Sequence, residues 1–187
     1  NTGGMGAYSP VPDLAPGLTA TTMRDVIEPT LAQMVEEESP VRGFLYAGLV
    51  LTEDGPKVLE FNVRLGDPET QAVLPRMSSD LIDVLEGETP EWTDTAAVNV
   101  VLAAQGYPES PVSGAVINGV DQVLDDVLVF HAGTRREGKR LLVNGGRVLN
   151  LVGTGSTLVE ARDRAYQAVE TIGWKGMQFR TDIAAQS

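Results

Sequence analysis

The alternation of side-chain types over residues 58–65 is the feature that most constrains the fold of this chain. It predicts a β-strand, because successive side chains of a strand point to opposite faces of the sheet. The polar face carries Glu60, Asn62 and Arg64. The other face is apolar and suited to burial, and consists of Leu59, Phe61, Val63 and Leu65. The glycine, aspartate and proline that follow at 66–68 predict the end of the strand.

The polar face of this strand has two possible interpretations. It is either the solvated side of an antiparallel sheet or a ligand site. Asparagine is disfavoured in mid-strand, and the oxygens of Glu60 and Asn62 suit a hard cation such as Mg²⁺. Arginine is the natural bidentate partner of a carboxylate or phosphate, and Arg64 lies one step further along. The residue types therefore favour a site for a metal and an anion.

The first residues contain three glycines within four positions, Gly3, Gly4 and Gly6. Glycines at a terminus are typical of a flexible lead-in. They also allow backbone conformations that bring amide groups close to a ligand. From the residues alone, both interpretations stay open.

Several segments resemble one enzyme family. Residues 60–71, Glu-Phe-Asn-Val-Arg-Leu-Gly-Asp-Pro-Glu-Thr-Gln, are similar to the metal-binding strand of the phosphoribosylamine–glycine ligases (glycinamide ribonucleotide synthetases), members of the ATP-grasp superfamily. Residues 1–10, 43–49, 129–134 and 144–149 resemble further segments of this family, in the same order. The resemblance implies the C-terminal portion of such an enzyme, with the ATP-binding lobe upstream.

The resemblance also implies an activity. Such enzymes activate the carboxylate of glycine with ATP as glycyl phosphate, which the amine of 5-phosphoribosylamine attacks, giving glycinamide ribonucleotide, ADP and phosphate in purine biosynthesis. ATP would be the co-substrate and Mg²⁺ or Mn²⁺ the cofactor. The upstream half would be required, so the isolated chain is expected to be inactive. Two alternatives remain: another ATP-grasp carboxylate–amine ligase or carboxylase, and a non-enzymatic binding module.

The family pattern assigns roles to individual residues. Glu60 and Asn62 would be the metal ligands. Arg64 would be the catalytic residue, orienting the glycine carboxylate or stabilising the acyl phosphate. Substrate contacts are implied for Arg64, Gly66 and Asp67, and for a glycine-rich loop formed by Thr2, Gly3, Gly4, Met5 and Gly6.

Composition excludes several classes of function. The chain has 187 residues, no cysteine and a formal net charge of −12. Disulfides and thiolate chemistry are therefore excluded, and nucleic acid or an anionic membrane is not an expected partner. No apolar run is long enough to span a membrane, and a cytoplasmic location is expected. The basic residues Arg135, Arg136, Lys139 and Arg140 are typical of a solvated hairpin turn.

The predicted fold class is α+β: the C-terminal half of an ATP-grasp domain, with an antiparallel sheet and helices, followed by a small α+β domain. The predicted domains are residues 1–86 and 97–187, joined by a polar linker at 87–96. Residue patterns predict a helix over 21–38 that Pro29 kinks or divides, and a hairpin of strands 43–51 and 57–65.

In the second half, patterns predict a buried strand over 97–104 and a strand over 128–132. Strands 140–143 and 147–152 are expected to form a tight hairpin through Asn144, Gly145 and Gly146. Short helices are expected over 69–77 and 79–85, the second capped by Ser78 or Ser79. A closing helix is expected from a cap at Thr157 to Ile172. His131, the only histidine, is interpreted as a structural hydrogen-bonding residue.

Overall fold

The computed structural model describes residues 3–185. Thr2, one of the residues predicted to contact substrate, lies outside that range. The chain forms two compact units: Val11–Gly66 is one, and the segments on either side of it together form the other. Mixed helices and antiparallel strands confirm the predicted α+β class. No helix of the described residues has the length and apolar character needed to cross a membrane.

The unit Val11–Gly66 contains one interrupted helix and one hairpin. The helix begins as α1 (Leu18–Thr22), passes through a π-helical segment (Met23–Ile27) and continues as α2 (Glu28–Glu36). The predicted interruption is confirmed: the π-helical segment ends two residues before Pro29, which cannot donate the N–H bond that a regular α-helix would have there. The hairpin consists of β2 (Tyr46–Thr52) and β3 (Gly55–Asn62), paired antiparallel as predicted.

The larger unit is built on a four-stranded antiparallel sheet in the order β1-β4-β9-β6. The four strands are β1 (Gly6–Ser9), β4 (Ala96–Ala103), β6 (Val127–His131) and β9 (Arg147–Gly155). Every residue of β4 is buried, which confirms the buried strand predicted there. Helix α5 (Leu158–Thr171) packs on this sheet through Ala161, Ala165, Ala168 and Val169, and Thr157 caps it as predicted.

A second, three-stranded sheet completes the larger unit, in the order β5-β8-β7. It consists of β5 (Val116–Ile117), β7 (Thr134–Glu137) and β8 (Arg140–Val143). The hairpin predicted between β8 and β9 was wrong, because the two strands belong to different sheets. Gly133 and Gly145 lie close together where the chain passes between the two sheets. A Cβ atom at Gly133 would lie 2.7 Å from the Cα of Gly145, so these two segments meet backbone to backbone.

Two short helices precede β4. They are α3 (Thr70–Val73), extended by a 3₁₀ turn (Leu74–Arg76), and α4 (Leu81–Leu85). The predicted serine cap of α4 was wrong: Asp80 accepts from the N–H of Ile82 at 2.7 Å, while the Ser79 hydroxyl accepts from the N–H of Glu91. The segment up to Pro10 and the segment from Asp67 onward group together in the larger unit, while the domains expected at 1–86 and 97–187 stay a prediction. The domain boundary at 87–96 itself stays a prediction.

Candidate functional site

The side chains of Glu60 and Asn62 lie together on one face of β3. They are two residues apart on the strand, and the Nδ2 atom of Asn62 donates to Oε1 of Glu60 at 3.1 Å. Glu60 is exposed and Asn62 is partly exposed, so both are open to solvent. The strand thus presents a carboxylate and an amide side by side, as the alternation predicts.

The partner strand leaves room for this pair. Gly48 lies opposite Glu60, and Tyr46 lies opposite Asn62. A Cβ atom at position 48 would lie only 3.1 Å from the Cγ of Glu60. The Glu60 side chain therefore lies across the bare backbone of Gly48. The sequence reading did not single out Gly48, although a glycine inside an otherwise apolar strand is a signal of close approach.

Arg64 does not continue the strand face. β3 ends at Asn62, and the Nη1 atom of Arg64 donates to the carbonyl oxygen of Leu65 at 2.8 Å. The prediction that the strand extends to residue 65 was therefore wrong. Arg64 is exposed, and its predicted role depends on the bend that follows β3 rather than on strand alternation.

The apolar face of β3 is not buried, contrary to expectation. Leu59, Phe61 and Val63 are 71%, 40% and 75% exposed. The physical reason is that β2 and β3 form a sheet of only two strands, which has no interior of its own.

Asp67 is held in the larger unit by Arg147, a residue that the sequence reading missed. The Nη1 atom of Arg147 donates to the backbone oxygen of Asp67 at 2.7 Å, and Nη2 contacts Oδ2 of Asp67 at 3.0 Å. Nη1 also lies 3.4 Å from the backbone oxygen of Gly4. One arginine on β9 therefore joins Asp67 to the glycine-rich loop, although the three residues are far apart in sequence.

The backbone after Asp67 is fixed by a buried amide. Asn99 of β4 is fully buried, and its Nδ2 atom donates to the carbonyl oxygen of Pro68 at 2.9 Å and to Oδ1 of Asn150 at 3.0 Å. The amide holds these two groups through Nδ2, while its own oxygen Oδ1 is buried without a hydrogen-bond partner among the described residues. The turn that carries Asp67 is thus anchored to the central sheet from two sides.

The glycine-rich loop is the lead-in to a strand. Its last glycine, Gly6, begins β1, and a Cβ atom there would lie 2.7 Å from the side chain of Ile183. Met5 is buried, and its carbonyl oxygen accepts from the N–H of Val101. Gly4 has a φ of +73°, and a Cβ atom there would lie 2.8 Å from Nη1 of Arg147. At these three positions the described loop is packed in place, in contrast to a free terminus.

The donor set for a metal is partial. No group of three or more histidine, cysteine, aspartate or glutamate side chains that could hold a metal occurs within residues 3–185. Glu60 and Asn62 supply one carboxylate and one amide oxygen, after rotation of the amide, which exchanges its O and N atoms. Mg²⁺ is commonly bound by one or two carboxylates together with substrate phosphates and water. The two side chains fit that kind of site.

His131 lies at the end of β6, on a different strand from Glu60 and Asn62. Its Nδ1 atom is 3.1 Å from the hydroxyl oxygen of Thr134. This contact agrees with its interpretation as a hydrogen-bonding residue.

Comparison with known families matches two parts of the chain to two domains of one family. Residues 1–70 match the family model described as phosphoribosylglycinamide synthetase, ATP-grasp (A) domain. Residues 97–186 match the model described as phosphoribosylglycinamide synthetase, C domain. The chain belongs to the phosphoribosylglycinamide synthetase family. The sequence resemblance is thereby confirmed.

Individual relatives agree with this assignment. The phosphoribosylamine–glycine ligase of Halalkalibacterium halodurans is 48% identical over 193 residues, and that of Caulobacter vibrioides is 50% identical over 194 residues. These matches take in 100% and 98% of the chain, but only 45% of each relative. The chain therefore spans less than half the length of the curated relatives it matches.

Solved structures show the same fold. The phosphoribosylamine–glycine ligase of Thermotoga maritima has a TM-score of 0.83 at 39% identity, over 98% of this chain and 47% of that one. The urea carboxylase of Kluyveromyces lactis has a TM-score of 0.68 at 16% identity, over 98% of this chain and 17% of that one. The second likeness shows shared architecture alone.

Proposed function

We propose that this chain is part of an ATP-dependent ligase that joins glycine to 5-phosphoribosylamine through glycyl phosphate, giving glycinamide ribonucleotide, ADP and phosphate. The names of the relatives support the reaction, and the order of the two family domains supports the placement of this chain within such a protein. The observation that carries the proposal is the pairing of Glu60 and Asn62 on one open strand face.

In this proposal, Glu60 and Asn62 hold Mg²⁺ or Mn²⁺ against the phosphates of ATP. A cation held there would supply positive charge that offsets the negative charge of phosphoryl transfer. Gly48 leaves the Glu60 side chain the space it occupies. Together these residues would position a charged group, which is what phosphoryl and acyl-phosphate chemistry requires of a protein.

The remaining residues would bind the substrates. Arg64 orients the glycine carboxylate or stabilises the acyl phosphate, since its guanidinium is exposed in the bend after β3. Gly66, Asp67 and the glycine-rich loop, Thr2 to Gly6, contact glycine or phosphoribosylamine. Arg147 keeps Asp67 and Gly4 together.

Two further properties belong to the same proposal. The part of the protein upstream of this chain supplies the rest of the ATP site, so the 187-residue chain alone should not turn over. The protein works in the cytoplasm, because the relatives are named for a reaction of a small phosphorylated metabolite.

The test is turnover by the full-length protein, measured as phosphate release dependent on ATP, glycine and phosphoribosylamine. Glu60→Gln and Asn62→Ala should each lower the rate at least about tenfold, which corresponds to about 1.4 kcal/mol of transition-state stabilisation. Glu53→Gln, in the exposed turn of the same hairpin, is the control and should leave the rate unchanged.

The substrate dependence separates this ligase from the alternatives. Release of phosphate that requires bicarbonate instead of glycine and phosphoribosylamine would indicate a carboxylase. Undiminished turnover in both Glu60→Gln and Asn62→Ala would remove the metal assignment. Absence of any turnover under all substrate combinations would favour a binding module.

A further inference from the structure

The larger unit contains a cavity whose lining residues are separate from the residues assigned above. Its volume is about 570 Å³. One wall is the segment from β5 through the 3₁₀ turn Val120–Gln122, and the other is the hairpin β7–β8 with His131. The volume is within the roughly 300–1,000 Å³ typical of sites for small ligands.

The charged residues that line this cavity are mainly basic, whereas the chain as a whole is acidic. The whole sequence has 26 acidic and 14 basic side chains. The cavity is lined by three cations, Arg136, Lys139 and Arg140, against the single carboxylate of Asp121. A concave surface lined by one sign of charge concentrates ligands of the opposite sign. The cavity therefore favours an anion in a protein that otherwise repels anions.

Two of these three cations have no acidic partner among the described residues. Glu137 contacts Arg135 at 2.8 Å and reaches Arg140 only at 3.7 Å. Within residues 3–185, Arg136 and Lys139 form no salt bridge with any carboxylate. Two of the three cations are thus available to an external partner.

Strand register separates Arg136 from its neighbour Arg135. Arg136 pairs with Leu141, which in turn pairs with Ile117, so these three residues share one face of the second sheet. Ile117 is buried and both apolar residues line the cavity. Arg135 lies on the opposite face and is bound to Glu137. The cavity therefore combines an apolar floor with a cationic rim.

We propose that this cavity binds a small phosphate monoester. A dianionic phosphate fits the donors on the rim, since arginine binds phosphate through two parallel N–H groups and lysine through a compact point charge. The organic part of the ester lies on the floor formed by Ile117 and Leu141. His131, whose ring is positioned by Thr134 at 3.1 Å, lies at the rim as a further hydrogen-bonding group.

The experiment is an NMR titration of the ¹⁵N-labelled 187-residue chain with inorganic phosphate and with glycerol 3-phosphate, at constant ionic strength. Saturable shifts are expected for the amides of Gly119, Arg136 and Gly138, with tighter binding of the ester. Shifts that do not saturate, or that lie outside this cavity, would overturn the proposal. Equal affinity for the two probes would overturn the assignment of a monoester.

Two neighbouring arginines provide matched variants. Arg136→Gln should weaken binding about tenfold, the loss expected for a hydrogen bond between charged groups. Arg135→Gln removes the same charge on the opposite face and should weaken binding less than about twofold. Equal weakening in the two variants would show that binding depends only on the net charge of the protein, and it would contradict a specific site. Neither residue belongs to the proposed ligase site, so the result does not depend on turnover.

Discussion

Arg147 shows how a single side chain can organise residues that the sequence keeps far apart. Its guanidinium contacts the backbone and the carboxylate of Asp67 and approaches the backbone of Gly4. The Arg147 side chain is 26% exposed, so most of it is protected from solvent. The position of Asp67 relative to the glycine-rich loop depends on this residue.

Replacing Arg147 tests this dependence. Arg147→Ala should lower the free energy of unfolding by about 1–3 kcal/mol, because it removes the donor to two backbone oxygens and one of the two donors to the Asp67 carboxylate, the other being Gln71. Arg147→Lys should recover less than half of that loss, since an ammonium group cannot reproduce a planar two-nitrogen contact. Urea denaturation of the 187-residue chain measures both values.

The control for this measurement is Arg140→Ala. The Arg140 side chain is 66% exposed and its nearest carboxylate oxygen is 3.7 Å away. Its loss should change the free energy of unfolding by less than about 0.5 kcal/mol. Equal losses in the alanine variants at 147 and 140 would mean that Arg147 does not hold Asp67 in place.

Helix α5 illustrates how local chemistry sets the boundary of an element. Thr157 accepts from the N–H of Glu160, while Oε2 of Glu160 accepts from both the N–H and the hydroxyl of Ser156. These contacts satisfy N–H groups at the start of the helix that have no partner within it. The hydroxyl of Ser156 is the main cause that lowers the pKa of the Glu160 carboxyl, followed by the backbone of Ser156 and the charge of Arg164.

The lowered pKa of Glu160 gives this cap a pH dependence. A carboxyl with a lower pKa in the folded state stabilises the fold above its unfolded pKa, and this stabilisation is lost as the pH falls through the folded value. Glu160→Gln should therefore lower Tm at neutral pH. The difference from the parent should vanish in acid below the folded pKa, as measured by thermal unfolding followed by circular dichroism.

Glu170→Gln is the matched control, since it removes the same charge from the last turn of α5. A negative charge at a helix C-terminus is unfavourable, so this variant should not lose stability at neutral pH. A Tm difference for Glu160→Gln that persists unchanged in acid would contradict the role of its charge.

At the scale of the whole molecule, the two compact units differ in how much they bury. Residues 96–104 are all buried, and alternate side chains among them form one core with β9 and α5: Ala96, Val98, Val100, Leu102 and Ala104. In the unit Val11–Gly66, which lies entirely within the described residues, only Gly48 and Gly66 are buried. A segment with few buried contacts opens at low free-energy cost.

Hydrogen exchange of the 187-residue chain should reveal this difference. Amides of β4, β9 and α5 should exchange roughly a hundredfold more slowly than those of Val11–Gly66, which corresponds to about 2.7 kcal/mol in opening free energy. Mass spectrometry of peptides from the labelled chain measures both regions in one sample. Similar protection of the two units would contradict this expectation.

Alternation and turn chemistry predicted much of the fold because they act over a few residues. The hairpin of β2 and β3, the buried strand β4 and the capped helix α5 are each confirmed. The hairpin predicted between β8 and β9 was wrong, because a glycine turn is compatible with pairing to either sheet. Gly133 and Gly145 lie on separate turns, and their close approach forms only when the chain folds, so local turn chemistry does not predict it.

The candidate site likewise has a part that local sequence predicts and a part that only long-range contacts determine. The alternation of residues 60–62 determined that Glu60 and Asn62 share a face, since strand geometry has a period of two residues; a β-bulge at Leu59 interrupts that period just before. Their roles in binding a metal stay predictions. Sequence spacing carries no information on Arg147 and Asp67 or on Arg136 and Ile117, because those pairs come together only when strands take their places in the sheets.

The sequence by itself determined the family, the element types and the chemistry of the strand at 58–62, because these depend on local order and on residue identity. Tertiary structure alone decided which strands are neighbours, where β3 ends, and that Leu59, Phe61 and Val63 are exposed. Burial and long-range pairing are properties of the packed molecule, in which distant segments compete for the same interior.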